Sequence, residues 1–226
     1  MAEFLIVAVK DSLNLRREPV IAADNIVQAL PPNTVLQCFE SRETPERVWR
    51  KAHTDGGAEG WVAAERLRPW GDATARLTVN VPWLNVAVKE LGEKEIVGDE
   101  DNPRIVEYLH TTTLSERDAA QDETAWCSAF VNWCMKQVNA PRTRDAWAQS
   151  WLNWGQPLAE PRQGAITVFR RFRDGSEIGG HVAFFVEARG SKLLVLGGNQ
   201  ANAVCLREYD KNGATQKLLG YRWPAA

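Results

Sequence analysis

Three polar side chains, far apart along the chain, are of types suited to nucleophilic attack on a carbonyl: Cys127, His181 and Asn199. Cys127 stands in DETAWCSAFVNWC, which reads as the start of an amphipathic helix capped by Asp122 or Thr124. A helix start leaves unpaired N–H groups and the positive end of the dipole, and both favour a thiolate over a thiol. His181 opens the β-forming run HVAFFV, with Ala183 and Phe185 on its own face of the strand. A hairpin centred on Gly190 sets His181 opposite Asn199 of the next strand. An amide oxygen there can accept Nδ1–H, fix the tautomer and leave Nε2 for the thiol. Gln200 competes for this third role, although alternation sends it to the opposite face unless the strand has already ended. Thiol, imidazole and amide, in that chain order, are the parts of a covalent acyl-transfer site.

Positioning these groups requires helices first and strands afterwards. Pro82 opens a helical pattern, WLNVAVKELG, stopped by Gly92, and Asn102-Pro103 caps a second helix through RIVEYLH. The third helix begins with the cysteine motif and sends Cys127, Phe130, Val131, Cys134, Met135 and Val138 inward at helical spacing. Cys134 on that stripe reads as a small buried hydrophobe. A fourth helix is expected around TRDAWAQSWLNWG, ended by Gly155. After Pro161 the rhythm turns to strands: GAITVF, HVAFFVEA, KLLVLGG, AVCLREY and LLGYRW. This is an α+β order.

Residues 4 to 69 differ. Short alternating runs separated by turn-rich stretches predict a small all-β sheet or barrel. Residues 70–81 lose the strand rhythm and read as a linker. The expected organisation is therefore 1–69, a linker at 70–81, and 82–226.

Composition narrows the function classes. A net charge of -2 points to neither nucleic acid nor an anionic membrane as partner. The cysteines Cys38, Cys127, Cys134 and Cys205 fit neither a disulfide framework nor zinc spacing, so neither a metal nor any other cofactor is expected. The apolar run at the N-terminus is broken early by Lys10 and Asp11, unlike a signal peptide or a span, which predicts synthesis in the cytoplasm.

The motifs DETAWCSAFVNWC, SWLNWG, GGHVAFFVE, VLGGNQANAV and GYRWP resemble the NlpC-type and CHAP (cysteine, histidine-dependent amidohydrolase/peptidase) superfamily of cell-wall hydrolases. The resemblance implies a papain-like catalytic domain that cleaves amide bonds in peptidoglycan, with Cys127 as nucleophile, His181 as base and Asn199 as the orienting residue. LNLRREP, Trp49 and Glu59-Gly-Trp-Val62 resemble a bacterial SH3-like domain, a module that in its family binds wall peptides or serves as a spacer. Such a substrate lies outside the cytoplasm, so the resemblance implies delivery by phage lysis or by a secretion apparatus. An antibacterial effector of that kind implies a cognate immunity protein as a further partner. The competing readings are a non-catalytic wall-binding protein on the same fold and an acyltransferase using the same thiol. Arg170, Arg171 and Arg173 form a basic segment that either contacts carboxylates of the stem peptide or is merely solvated.

Overall fold

The computed structural model describes residues 3–9, 12–31, 34–54, 57–69 and 81–225. The chain forms two compact units, residues 1–76 and 77–226. Apart from Val81, the expected linker lies outside the described residues.

The N-terminal unit is one antiparallel sheet. Its strands are β1 (Glu3–Val7), β2 (Leu13–Arg16), β3 (Ile26–Leu30), β4 (Val35–Glu43), β5 (Val48–Thr54), β6 (Glu59–Ala63) and β7 (Leu67–Pro69), in the order β3-β2-β6-β5-β4-β1-β7. Leu15, Leu30, Leu36, Trp49 and Val62 form its core. The alternating apolar rhythm thus becomes one buried face, as period-two pleating requires.

The C-terminal unit begins with helices α1 (Pro82–Lys89), α2 (Pro103–Leu109), α3 (Glu116–Ala119) and α4 (Cys127–Gln137). Proline opens the first two, and the Asn102 side chain caps α2 by accepting from the Arg104 N–H at 2.8 Å. The short α3, capped by Ser115, has no counterpart in the sequence reading. The expected fourth helix is reduced to a 3₁₀ helix over Ala148–Asn153. The preceding segment is held out of helix by α4: Asn132 Oδ1 takes the Arg144 N–H at 2.7 Å, and Ser128 Oγ donates to the Asp145 carbonyl at 2.6 Å. Arg144 itself is left-handed, with φ of 61°, a conformation that ends a right-handed helix.

Strands β8 (Gln156–Leu158), β9 (Ile166–Arg173), β10 (Ser176–Arg189), β11 (Lys192–Gly197), β12 (Cys205–Asp210) and β13 (Gln216–Trp223) complete the unit as a sheet of order β12-β11-β10-β9-β13-β8. Every pairing is antiparallel. The expected α+β order is present. The sheet curls: the Leu218 N–H of β13 donates to the Lys211 carbonyl just past β12 at 2.8 Å, and Asn212 bridges Lys217. Curling encloses Phe169, Ala183, Phe185 and Val195 on the inner face.

Helix α4 is not amphipathic. Cys127 through Met135 are all buried, and the polar members are satisfied within the fold. Trp151 donates its indole N–H to Ser128 Oγ at 2.9 Å, and Trp133 donates to Glu107 at 2.9 Å. Cys134 is fully buried, as a small hydrophobe would be.

Candidate active site

Cys127 is the first residue of α4, one turn later than the capping reading placed the helix start. Trp126 occupies the cap position, and its side chain makes no capping hydrogen bond. Asp122 does other work. It is fully buried, and its Oδ2 accepts the N–H groups of Ile96 at 3.0 Å and Asn102 at 2.8 Å. The Trp126 indole donates to Glu95 at 2.8 Å. The segment around Glu93 also pairs with the 202–204 loop, through Glu95 N–H to the Asn202 carbonyl and Val204 N–H to the Glu93 carbonyl. One loop thereby holds both the helix start and the turn that carries Asn199 and Gln200.

The thiol lies among backbone donors. The backbone dipoles of Val182, Ser128 and Cys127 itself favour the thiolate, as does the charge of Arg171. Burial outweighs them and pushes the thiol pKa up, because a desolvated anion costs more than a few dipoles return. The pull of the helix start toward the thiolate is therefore outweighed by desolvation. Val182 follows His181 in the chain, so strand β10 supplies both the imidazole and a backbone dipole that favours the thiolate.

His181 is 2% exposed. Its ring lies between Phe169, at 6.4 Å between centroids, and Tyr209, at 5.2 Å. Its Nε2 is 3.0 Å from Gln200 Oε1. Gln200 Nε2 donates to the Cys205 carbonyl at 2.5 Å, which fixes the amide with its oxygen toward the ring. An oxygen only accepts, so Nε2 carries the hydrogen and Nδ1 keeps the lone pair. The sequence reading had these two nitrogens reversed. Burial drives the imidazole pKa down to about 4; the Gln200 bond opposes this, and the charges of Arg171 and Arg207 add to it. Thiol and imidazole therefore rest as a neutral pair.

The third side chain is also corrected: Gln200, and not Asn199, meets the histidine. Hairpin pairing does align Phe184 with Leu196, but β11 ends at Gly197. Asn199 then turns left-handed, with φ of 53°, and strand alternation no longer governs where side chains point. Asn199 borders the neighbouring cleft instead. The glycine pair makes this turn possible. A Cβ on Gly198 would stand 2.4 Å from the Trp126 ring and 2.7 Å from Phe130 Cβ, and one on Gly197 would stand 3.2 Å from Gln200 Oε1.

The sequence reading also missed Cys205, whose thiol donates to the Gln200 carbonyl at 3.3 Å, and Glu95. An indole N–H that must be buried needs a partner, and Trp126 was the signal for that acid. The carboxylates of Asp101, Asp122 and Glu123 have ligand atoms within 4.8 Å of one another. Asp101 already accepts the Asp122 N–H at 2.8 Å, and two N–H groups occupy Asp122 Oδ2, so the group serves as a loop clamp.

Residues 119–199 match the family model described as CHAP domain, a stretch that includes Cys127 and His181 and stops one residue before Gln200. That stretch of the C-terminal unit is similar to a CHAP domain. Among solved structures, NlpC2 from Trichomonas vaginalis is similar at 15% identity, covering 98% of this chain and 72% of that one with a TM-score of 0.38. NlpC1 from the same organism gives 14%, 98%, 69% and 0.37. A lipoprotein-like NLP/P60-family protein from Staphylococcus aureus gives 15%, 74%, 52% and 0.36. Likeness at these scores carries no argument, and the similarity that counts is the family match over 119–199. No curated protein matches the chain.

Proposed function

We propose that the C-terminal unit is a papain-like thiol hydrolase that cleaves an amide bond in the peptide part of peptidoglycan. The observation that carries this reading is the His181–Gln200 hydrogen bond, with Cys127 and His181 both inside the segment that matches the CHAP model. His181 Nδ1 takes the thiol proton as the sulfur attacks the substrate carbonyl, which avoids a buried resting ion pair. The Cys127 N–H, at a helix start without a side-chain cap, donates to the developing oxyanion. The imidazolium then protonates the leaving amine. A water deprotonated by the same imidazole hydrolyses the thioester and restores the thiol. Gln200 holds the ring in its productive tautomer throughout. The N-terminal unit, read as SH3-like, serves as the wall-binding or spacing module. The substrate lies beyond the cytoplasmic membrane, and delivery by lysis or secretion belongs to this reading.

Digestion of purified sacculi by the wild type and by Cys127→Ala, with fragments identified by mass spectrometry, tests it. New peptide termini from the wild type and none from the variant are expected. Intact sacculi in both would overturn the assignment.

A further inference from the structure

Arg171, Arg173 and Arg207 border a cleft of about 600 Å³ together with Asn199 and Tyr209. Strand alternation and curling together create this cluster. On β9, Phe169, Arg171 and Arg173 share a face, and the Phe169 ring meets Tyr209 at 5.1 Å. On β12, Arg207 and Tyr209 share a face, and the Tyr209 ring lies beside His181. β9 and β12 are not neighbours in the sheet, and only the curl brings their arginines to one hollow. The charge of Arg171 is felt at Cys127 and at His181, and that of Arg207 at His181. Two of the three arginines are thus within electrostatic reach of the reacting atoms.

Among the described residues, none of these three guanidinium groups has an ion-pair partner. Their neighbours in the same sheet do: Arg170 pairs with Glu177 at 3.4 Å, and Arg189 with Glu208 at 2.6 Å and Glu187 at 3.3 Å. Asp174, also on the cleft wall, sets one carboxylate against three cations. Like charges gathered without partners cost free energy in the empty fold, and that cost is recovered when an anion enters. Guanidinium matches carboxylate in shape and can bind it through two parallel hydrogen bonds.

We propose that this cleft binds a free carboxylate of the peptide substrate next to the scissile amide, so that the enzyme selects acidic peptides over their carboxamide forms. This inference rests on the thiol hydrolase reading. The arginines are specificity residues. They hold the substrate, while the bond-making steps stay with Cys127 and His181.

The test uses two synthetic wall-type peptides that differ only in carrying free carboxylates or carboxamides. The wild type is expected to favour the acid by about tenfold or more in kcat/KM, mostly through KM. In Arg173→Gln/Arg207→Gln the ratio should fall to within about twofold of unity. Equal rates in the wild type, or a preference that survives in the double variant, overturn the inference. If the double variant fails to fold, the wild-type ratio decides alone. Calorimetric binding of both peptides to Cys127→Ala separates the two readings. Arginine-dependent acid binding by a protein that cuts neither peptide sinks the hydrolase assignment alone. Cleavage of both peptides at equal rate and with equal affinity sinks the carboxylate site alone.

Discussion

The two units hold hollows of similar size, each bordered by three arginines, and they use the charge in opposite ways. In the N-terminal unit, Arg16, Arg47 and Arg66 line about 560 Å³ together with Trp49. Arg16 donates to the Ala22 carbonyl at 2.7 Å, and Arg47 pairs with Glu65 at 3.0 Å. Two of those three guanidinium groups thus have partners within the fold. In the C-terminal unit Arg171, Arg173 and Arg207 have no ion-pair partner among the described residues, and the charge of Arg171 is felt at Cys127 and His181. Two of the three histidines repeat the contrast. His53 is 2.9 Å from Glu59, whereas His181 faces an amide and a positive field. Residue type and cavity size are the same in both places, so it is the local pairing that separates scaffold from site.

The largest test of this contrast exchanges close-packed glycines. Gly198→Ala is expected to force the helix start away from the turn, destabilising the C-terminal unit by about 2–3 kcal/mol and lowering activity by about a hundredfold. In the N-terminal unit, a Cβ on Gly60 would meet the Arg16 carbonyl at 2.6 Å and Leu15 Cγ at 2.8 Å. Gly60→Ala should destabilise that sheet by a similar amount, about 2–3 kcal/mol, while hydrolysis of a soluble peptide stays within about threefold of wild type. Thermal melting and peptide assays on both variants check this, and equal activity losses would break the contrast.

A smaller effect sharpens the site itself. Removal of the amide in Gln200→Ala should lower kcat by about tenfold to a hundredfold, the usual consequence of releasing a histidine from its orienting partner. Asn199→Gly keeps the left-handed turn and should remain within about threefold of wild type. A larger loss at 199 than at 200 would restore the original sequence reading.

The smallest effect concerns pH. With the His181 pKa near 4, the base is neutral above that value, and kcat/KM should hold on the acid side until about pH 4. Gln200→Glu would stabilise the imidazolium, raise its pKa and move the acid limb upward. Stability follows the same shift. The folded pKa lies below the ordinary 6.5, so the unfolded chain takes up the proton first. Stability is lost as pH falls from 6.5 to 4, by up to about 3 kcal/mol at the lower end. His181→Gln should flatten that part of the melting-temperature profile, and an unchanged profile would contradict the buried neutral base.

Much of the framework could be read directly from the residues because its causes are local. Proline and Asn102 mark helix starts through their own backbone chemistry, and the runs of β10 and β11 mark strands through alternation. Cys127 and His181 stood out by type and setting. The predicted helix around Trp147 failed because Asn132 and Ser128, from another element, claim its backbone groups. Asn199 was preferred to Gln200 because alternation was carried past the point where β11 stops.

By itself, then, the sequence determined an all-β unit followed by an α+β unit, with a cysteine near a helix start and a histidine on a strand, since these depend on interactions between near neighbours. Only the tertiary structure decided that Gln200 holds the imidazole, that the thiol rests protonated, and that Arg207 joins Arg171 and Arg173. Desolvation and sheet curl act between residues distant in sequence, and no local pattern encodes which groups burial will bring together.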